Sequence, residues 1–365
     1  MPFEASAAAP NWRQEVKIPL MIRAQIEAID YYLPETILTN EELEQLYSGW
    51  SPAVVREKTG IQGRHIAAKD ETASDMAVKA AQKLFDRNAC TPADIDFVML
   101  CTQSPDYFLP TSACLIQNRL RIPKKCGAFD FNLGCSGFVY GLAIARALIE
   151  NGLAGNILLL TADTYSKFIH PMDRSVRTVF GDAASATLIG GVETNGAGEA
   201  LIGPFVFGTD GSGADLLMVP AGGLREPHSS QTAVEQTDEK GNTRSRDHLF
   251  MNGPAILTFS MSAVPALVEK LLSESGLDRE NIDAFVFHQA NKLMLEVLRK
   301  ACNIPPGRFV VDLEDKGNTV GSTIPIALAN AFRGGTIKPQ ARVMLVGFGV
   351  GLSWAGALSV LPGGL

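Results

Sequence analysis

The sequence lacks the cysteine patterns that crosslink small domains or hold zinc. Its six cysteines form no Cys-x-x-Cys pair and follow no regular spacing; they are residues 90, 101, 114, 126, 135 and 302. This pattern argues against a disulfide framework and against a metal site, and no bound cofactor is expected. Unpaired cysteines fit a reducing compartment, so we expect a cytoplasmic protein.

An excess of positive charge and a long apolar run are also absent. Lys and Arg number 32 against 39 Asp and Glu, and a net charge of −7 disfavours nucleic acid as the main partner. No apolar run reaches the roughly 18 residues that cross a membrane. Residues 1–20 contain Glu4 and Glu15 and no long apolar core, so we interpret them as a loose N-terminal extension and not as a signal peptide.

The remaining composition is that of a folded globular chain. Hydrophobic residues make up 46% and charged residues 19% of 365 residues, a length typical of about two domains. Apolar strands alternate with helical patterns, and the order of elements repeats. The strands predicted at 95–102 and 156–161 correspond to those at 284–287 and 342–346.

This repeat predicts two α/β halves, residues 21–198 and 199–365, built from parallel βαβ units with helices on both faces of the sheets. The polar stretch 222–248 interrupts the pattern and is predicted to be a flexible surface loop. The sequence leaves open whether that loop acts as a lid.

Cys135 is the candidate nucleophile. It lies in a glycine-rich stretch between the strand-like segment 126–131 and the apolar helical pattern 138–149. We therefore expect it on a sharp turn, where free N–H groups and the helix dipole favour a thiolate. Gly134 and Gly137 permit a strained turn and the close approach of a substrate. A buried structural cysteine is the competing interpretation.

Two more polar residues follow predicted central elements. His288 comes directly after the strand 284–287, and Asn318 opens the helical pattern that mirrors the helix after Cys135. Ligands bind at such ends in open α/β sheets. A lone His or Asn is more often structural, but both residues fit the repeat together with Cys135. We therefore interpret all three as catalytic residues.

The glycine-rich run 347–351 is not a dinucleotide-binding loop. Such a loop opens a helix near the start of a βαβ unit, whereas this run lies near the C-terminus and precedes a predicted strand, 357–361. A tight turn that presents a backbone N–H to an oxyanion fits better. Gly349, with the N–H of Cys135, is the predicted oxyanion hole.

These residue types suit acyl chemistry on a thioester. A Cys nucleophile can accept the acyl group, while neutral His and Asn can donate hydrogen bonds to a thioester carbonyl as it becomes an enolate. A papain-like thiol protease uses the same three types. The protease is disfavoured because the local papain signature is absent and the repeat places Asn318 opposite Cys135.

Several segments, spread from about residue 22 to the end of the chain, resemble β-ketoacyl-ACP synthase III and its relatives in the thiolase superfamily. They are Lys58–Ile61, Arg64–Ile66, Asn132–Gly137, Phe180–Ala183, His288–Asn291, Gly317–Thr319 and Gly347–Trp354. An Asn at 318, where the chain-elongating synthases carry a second His, is similar to type III and to chalcone-synthase-like enzymes.

The resemblance implies a thiolase fold, a five-layered α-β-α-β-α sandwich of duplicated halves, and a homodimer. It also implies that an acyl-CoA loads Cys135 and that a malonyl thioester, on acyl carrier protein or on CoA, is then condensed with loss of carbon dioxide. His288 and Asn318 would activate the malonyl group. Coenzyme A enters as a substrate and not as a cofactor.

Further residues are assigned from the same resemblance. Arg174 matches the family Arg near the CoA adenine, Asn291 lies in the substrate site, and Trp50 is the candidate for the stacking Trp. The family gate residue before a Pro, supplied by the dimer mate, is Leu109 here, which hints at a primer longer than acetyl or branched. Where the family often carries a carrier-docking Arg, this chain has Leu293.

Two other functions stay open at this point. The acyl group on Cys135 could pass to an amine or hydroxyl of a secondary metabolite, or the chain could be a non-catalytic partner subunit. Fatty-acid initiation and a specialised pathway are equally compatible with the sequence.

Overall fold

The computed structural model describes residues 20–47, 51–195 and 200–365. The strands are β1 (Leu20–Tyr32), β2 (Thr36–Thr39), β3 (Gly63–Ile66), β4 (Phe97–Cys101), β5 (Gly127–Phe131), β6 (Asn156–Asp163), β7 (Ala183–Asn195), β8 (Ile202–Thr209), β9 (Leu217–Met218), β10 (Gln236–Thr237), β11 (Thr243–Arg244), β12 (Phe250–Met251), β13 (Ala284–Phe287), β14 (Arg342–Gly349) and β15 (Ser353–Val360). The α-helices are α1 (Asn40–Leu46), α2 (Pro52–Thr59), α3 (Ala73–Asp86), α4 (Ser112–Arg119), α5 (Gly137–Glu150), α6 (Arg174–Arg177), α7 (Gly253–Ser275), α8 (Lys292–Ala301) and α9 (Thr323–Arg333).

Two central sheets organise the chain into five layers. The first has the strand order β1-β7-β6-β4-β5 and the second β13-β14-β15-β8. Helices α3 and α4 cover the outer face of the first sheet, α5 and α9 lie between the sheets, and α7 and α8 cover the second sheet. This arrangement confirms the predicted five-layered α-β-α-β-α sandwich.

The repeat is visible in the strand pairing. In the first sheet β4 pairs with β6 in parallel and β6 with β7 antiparallel; in the second, β13 pairs with β14 in parallel and β14 with β15 antiparallel. The predicted parallel units are therefore present, and each half adds an antiparallel strand that the prediction did not include. A parallel neighbour needs a crossover, usually a long helix, and the connection from β6 to β7 contains only the four-residue α6.

The two inner helices are apolar on nearly all sides because they contact both sheets. In α5, Phe138, Val139 and Leu142 are fully buried, and a side chain at Gly141 would meet Leu159 of β6. Helix α9 is buried over most of its length. These helices hold the two sheets apart and direct their N-terminal ends to the middle of the molecule.

Polar side chains cap the first turns of α1 and α7. Thr39 caps α1, and its side chain forms a capping box with Glu42. The side chain of Asn252 caps α7, which begins at Gly253. Helix α9 begins at Thr323, five residues after Asn318, where the helical pattern was predicted to open.

The predicted domain boundary at 198/199 falls among residues 196–199, outside the described residues. The chain leaves the first sheet at the end of β7 and enters the second at β8. The N-terminal extension assigned to residues 1–20 also lies outside the described part, apart from Leu20, where β1 begins.

One helix in the described ranges, α7, is long and apolar enough to cross a membrane by length and composition. It packs against strands β8, β14 and β15 and buries Val264, Leu267, Val268 and Leu271 in the core of the second half. Helix α7 is therefore accounted for as a core helix of the sandwich.

The stretch 222–248 lies on the surface, as predicted, and contacts the body of the protein through charged side chains. It contains the short hairpin of β10 and β11, and Arg244 donates a 2.8 Å hydrogen bond to the buried carboxylate of Asp173. His170 pairs with Glu235 at 3.0 Å. Charged side chains thus attach this segment to the connection between β6 and β7, which polarity alone does not reveal.

Candidate active site

Cys135 lies on the predicted turn between β5 and α5. The N–H of Gly137 donates to the carbonyl of Gly134 at 2.8 Å, and α5 begins two residues after Cys135. Gly137 is required because an added Cβ would lie 2.2 Å from the sulfur of Cys101. The turn thus depends on close packing between β4 and the start of α5.

The thiol of Cys135 is buried, with 4% of the residue exposed. Burial raises its pKa to about 12, the backbone N–H of Val350 lowers it, and the nearby Asp163 carboxyl raises it. The expected thiolate is therefore not the resting form of Cys135. Desolvation outweighs the helix dipole because the sulfur sits inside the protein and not at an exposed helix end.

His288 follows β13 and is 2% exposed. Burial lowers the pKa of its imidazole to about 3, so the ring is neutral at physiological pH. The backbone N–H of His288 donates to the carbonyl of Val346 at 2.8 Å, and its ring meets Phe348 edge to face with centroids 5.6 Å apart. Strand β14 therefore fixes both the backbone and the ring of His288.

Asn318 lies beside His288 and not at the start of a helix. Its Nδ2 is 3.4 Å from Nε2 of His288, and its Oδ1 accepts the backbone N–H of Val320 at 2.9 Å. That bond turns the NH₂ group of the amide towards the imidazole. Asn318 is held by the first half of the chain, since its N–H donates to the carbonyl of Val179 at 2.9 Å.

Two backbone N–H groups hydrogen-bond to Cys135 Sγ, those of Val350 and of Cys135 itself. Gly349 leaves room for the sulfur, because an added Cβ there would lie 2.8 Å from Sγ. These contacts are to the sulfur and not to an acyl oxygen, so the oxyanion hole expected from the N–H groups of Cys135 and Gly349 stays a prediction.

A cavity of about 320 Å³ brings the predicted catalytic residues together. Cys135, His288 and Asn318 line it, as do Asn291 and Gly349. The rest of its wall is mainly apolar: Val179, Phe180, Leu217, Met251, Pro254, Ile256, Leu257, Ala290, Leu293, Met294 and Phe348. A nucleophile, a neutral imidazole and an amide donor therefore share one apolar chamber.

Asn291 caps a helix at the wall of this chamber. Its Oδ1 accepts the N–H of Met294 at 2.9 Å and so caps α8. Leu293, on the first turn of α8, is 57% exposed and also lines the cavity. The outer rim of the chamber is thus apolar at the point where the family often carries an Arg.

A larger cavity of about 900 Å³ adjoins the first, and Leu217 lines both. Val350, whose N–H faces the sulfur of Cys135, is also part of its wall. Tyr165 donates a 2.5 Å hydrogen bond to Gln103 on this wall, and Gln103 Nε2 donates to Asn132 at 3.1 Å. The second cavity therefore extends away from the nucleophile on the side of β5.

Arg174 and Leu109, two other predicted substrate residues, do not line the chamber. Arg174 donates a hydrogen bond to the carbonyl of Lys240 at the tip of the β10–β11 hairpin. Leu109 is 82% exposed and does not line the chamber of its own chain. Trp50 lies outside the described residues.

Sequence reasoning missed Asp163 and Thr323. Asp163 ends β6, is 1% exposed, and accepts the N–H of Gln103 at 2.8 Å; burial raises its pKa to about 8. Thr323 contacts His288. Only proximity in the folded chain identifies either residue, because neither lies in a catalytic motif. Within the described ranges, no group of three His, Cys, Asp or Glu side chains could hold a metal ion.

Comparisons with known proteins agree with this arrangement. Family models for the two parts of 3-oxoacyl-[acyl-carrier-protein] synthase III match residues 129–211 and 272–360. The chain is 35% identical over 337 residues to a β-ketoacyl-[acyl-carrier-protein] synthase III of Caldanaerobacter subterraneus, covering 92% of this chain and 97% of that one.

Solved structures give the same result. A crystal structure of a 3-oxoacyl-(acyl-carrier-protein) synthase III is 53% identical, with a TM-score of 0.91 over 93% of this chain and 100% of that one. A 3-oxoacyl-(acyl-carrier protein) synthase from Burkholderia xenovorans LB400 is 33% identical, with a TM-score of 0.85 over 95% and 96%.

Proposed function

Because the chain belongs to the 3-oxoacyl-[acyl-carrier-protein] synthase III family, we propose that it joins an acyl-CoA primer to a malonyl thioester by decarboxylative Claisen condensation. The product is a β-ketoacyl thioester. One observation carries the proposal: Cys135, His288 and Asn318 line a single apolar chamber beside a backbone N–H aimed at the sulfur.

The first half-reaction loads the primer onto Cys135. Sγ forms a bond to the thioester carbonyl carbon while its proton passes to His288. The carbon–sulfur bond to CoA then breaks, and His288 returns the proton to the CoA sulfur, which leaves as a thiol. Burial disfavours both the thiolate and the imidazolium. Proton transfer must therefore accompany carbon–sulfur bond formation, so that neither charge stands alone in the apolar chamber. The N–H groups of Cys135 and Gly349 stabilise the oxyanion that forms on the acyl carbonyl.

The second half-reaction forms the carbon–carbon bond. The malonyl group loses carbon dioxide, and the electron pair of the broken bond forms an enolate of the thioester. Asn318 stabilises the enolate oxygen through Nδ2, which no carboxylate opposes in the chamber. The enolate carbon attacks the acyl carbonyl, and collapse of the tetrahedral intermediate releases the sulfur of Cys135 as a thiolate. The thiolate then takes up one proton from solvent, which is the proton that the decarboxylative cycle consumes.

The primer extends into the 900 Å³ cavity next to Cys135. A volume of this size falls within the range of about 300–1,000 Å³ that holds drug-sized ligands and exceeds what a two-carbon acyl group fills. Leu109, in place of a larger gate side chain, supports the same conclusion. We therefore expect a primer longer than acetyl.

Arg174 and Asn291 line the route of CoA, and the malonyl group arrives on acyl carrier protein or on CoA. Arg174 already makes one hydrogen bond, to Lys240, so the β10–β11 hairpin is adjacent to the expected adenine site. The exposed Leu293 at the rim offers no charge to an acidic carrier. Lys292 is its nearest basic neighbour in the chain, followed by Arg299 and Lys300.

The test is the mass of the intact protein after incubation with acyl-CoAs from acetyl to long-chain. Wild type should gain one acyl group, and Cys135→Ala should gain none. Cys114→Ala is the matched control, because Cys114 is the exposed cysteine and should not affect loading. Loading that persists in Cys135→Ala would refute the role of Cys135.

Adding malonyl-CoA or malonyl-carrier protein to the loaded enzyme tests the second half-reaction. Condensation predicts loss of the acyl mass, release of carbon dioxide and a product longer by two carbons. Unloading onto an amine or alcohol without a malonyl donor would favour acyl transfer to a metabolite. A wild-type chain that no acyl-CoA loads would favour the non-catalytic subunit.

The enzyme acts as a homodimer in this proposal. Strand β5 is an edge of the first sheet, so one row of its backbone groups has no strand partner within the described residues. Tyr107, Phe108 and Leu109 precede α4, which packs on β5, and they are 61%, 84% and 82% exposed. Pairing of two β5 edges would cover these apolar side chains and bring Leu109 to the neighbouring subunit's primer cavity.

Light scattering after size-exclusion chromatography tests the dimer. Leu109→Glu should yield monomer and slow primer loading, while Leu153→Glu, at an exposed leucine after α5, should leave both unchanged. A Leu109→Glu protein that remains dimeric would contradict this interface. We assign the enzyme to the cytoplasm, where thioester substrates are made and where its six free cysteines stay reduced.

A further inference from the structure

The 900 Å³ cavity proposed for the primer has three polar side chains on the part of its wall next to the nucleophile. Tyr165, Gln103 and Asn132 all line this cavity. Gln103 packs against the turn of Cys135, because a Cβ added at Gly134 would lie 2.5 Å from its Oε1. The wall is therefore polar where a primer attached to Cys135 begins.

Hydrogen bonds fix the orientation of the two amides. Tyr165 is 4% exposed, and its hydroxyl donates to Oε1 of Gln103 at 2.5 Å. If the Gln103 amide were reversed, the buried hydroxyl hydrogen would lose the one acceptor it has among the described residues, which costs free energy. With its oxygen towards Tyr165, Gln103 donates from Nε2 to Oδ1 of Asn132 at 3.1 Å. Asn132 must then direct its own NH₂ group elsewhere.

This orientation leaves hydrogen-bond donors on the cavity wall. One N–H of Gln103 and both N–H groups of the exposed Asn132 have no acceptor within residues 20–47, 51–195 and 200–365, whereas each amide oxygen already accepts a bond. Water satisfies such donors until a primer displaces it. An aliphatic primer would leave the donors unpaired, and an oxygen on the primer would accept from them.

The charged groups on the same wall favour a neutral oxygen over a carboxylate. Asp106 and Asp247 line the cavity, and Asp247 lies 3.0 Å from His228. Lys167 also lines it, but its ammonium group already donates to two backbone carbonyl oxygens, at 2.5 and 3.1 Å. Because the carboxylates outnumber the ammonium group, they would repel an anionic primer and leave a hydroxyl or keto oxygen unaffected.

We propose that Gln103 and Asn132, oriented by Tyr165, select an acyl primer that carries a neutral acceptor oxygen, a hydroxyl or keto group, within its first few carbons beyond the thioester. The inference rests on the proposed function and names the class of its first substrate. The loading step is unchanged: Cys135 Sγ bonds to the acyl carbon, the bond from that carbon to the CoA sulfur breaks, and the Sγ proton ends on CoA. The two amides act on the choice of primer and not on that proton.

The experiment uses pairs of acyl-CoAs in which a methyl group replaces the oxygen. Both enantiomers of 3-hydroxybutyryl-CoA are matched by 3-methylbutyryl-CoA, and 4-oxopentanoyl-CoA is matched by 4-methylpentanoyl-CoA. Loading of Cys135 is followed by rapid quench and intact mass. An apolar cavity would favour the methyl member of each pair. We expect wild type to load the oxygen-bearing member of at least one pair about 3- to 10-fold faster, the factor that one net hydrogen bond supplies.

Two variants test the residues through the ratio of the two loading rates. Asn132→Leu keeps the size of the side chain but removes its donors, so the ratio should fall to one or below. Tyr165→Phe keeps the ring but frees Oε1 of Gln103, so the amide can reverse and the ratio should also fall. Gln82→Leu is the matched control, because Gln82 is an exposed amide on α3 that donates to Asp86 and does not line the cavity.

The ratio compares two primers on one protein, so a variant that is only less stable would lower both rates and leave the ratio unchanged. Wild type that loads the methyl member of both pairs as fast or faster would overturn the proposal, even if no variant folds. A preference that persists in both Asn132→Leu and Tyr165→Phe would overturn it too, because another group would then recognise the oxygen. Failure of the proposed function is distinct, since wild type would then load neither member of any pair.

Discussion

Gly349→Ala tests how little space the nucleophile has. The new Cβ would lie 2.8 Å from Cys135 Sγ and 3.0 Å from Cys135 Cβ. Real Cβ contacts are essentially never shorter than 3.0 Å and nine in ten are longer than 3.4 Å, so the sulfur must shift by at least a few tenths of an ångström. The backbone of Cys135 has little room to move away, because it packs closely on Gly347. A Cβ added at Gly347 would lie 2.6 Å from the Cys135 carbonyl oxygen.

The magnitude follows from this overlap. Adding one methyl group to a packed interior costs about 1–3 kcal/mol, so the variant should fold with reduced stability. A nucleophile displaced by about 1 Å can lose about 10²-fold in rate. We therefore expect loading of Cys135 to slow by about 10- to 100-fold, with little change in the far-ultraviolet circular dichroism spectrum.

Loading is measured by rapid quench and intact mass, and unfolding by urea titration. Gly307→Ala is the matched control, because an added Cβ there meets nothing within 4 Å and its loop is remote from the chamber. Gly349→Ala with a wild-type loading rate would show that the sulfur has room that the structure does not give it, and would refute the reasoning.

Two further predictions concern stability. Arg244→Gln should lower the free energy of unfolding by about 2–3 kcal/mol, because it removes the cation paired with the Asp173 carboxylate, which is 1% exposed. Arg246→Gln, at an exposed ion pair, should cost clearly less in the same urea titration. Equal losses would contradict this ranking. The pKa of His288 is about 3 in the folded protein and 6.5 in the unfolded chain. Below pH 6.5 the unfolded chain therefore binds a proton at this residue and the folded protein does not. As the pH falls, the free energy of unfolding decreases by up to about 1.4 kcal/mol per pH unit. His288→Gln should lose stability less steeply between pH 6.5 and about pH 4, and parallel curves would contradict the assignment.

The turn of Cys135 could be predicted because its determinants are local. A strand-like segment, two glycines and an apolar helix follow one another within 25 residues, and each leaves a pattern that can be read without the fold. The protonation state of Cys135 could not be predicted in the same way. It depends on burial by elements far away in the chain, among them the turn after β14.

The two sheets likewise have features that the sequence predicts and features that it does not. Apolar runs revealed β4, β6, β13 and β14 and the order in which they repeat. The antiparallel partners β7 and β15 share that apolar character, and only the lack of a long helix in the connection before each of them marks its direction. The counterpart of β5 in the second half is reduced to a single bridge between Phe285 and Phe309, so a strict repeat would have predicted one strand too many.

The candidate site lies where the two halves exchange backbone hydrogen bonds. The N–H of Asn318 donates to Val179 and its carbonyl accepts from Gly181, so the loop before α9 is attached to the loop before β7. Val320, a β-branched residue, has φ of 54° in that loop, a conformation such residues rarely adopt. Its N–H holds Asn318 and its carbonyl holds Thr323. Val320 thus orients both Asn318 and Thr323, two residues that contact the imidazole. The backbone contacts between the two halves hold Val320 in its strained conformation, as expected of a preorganised site.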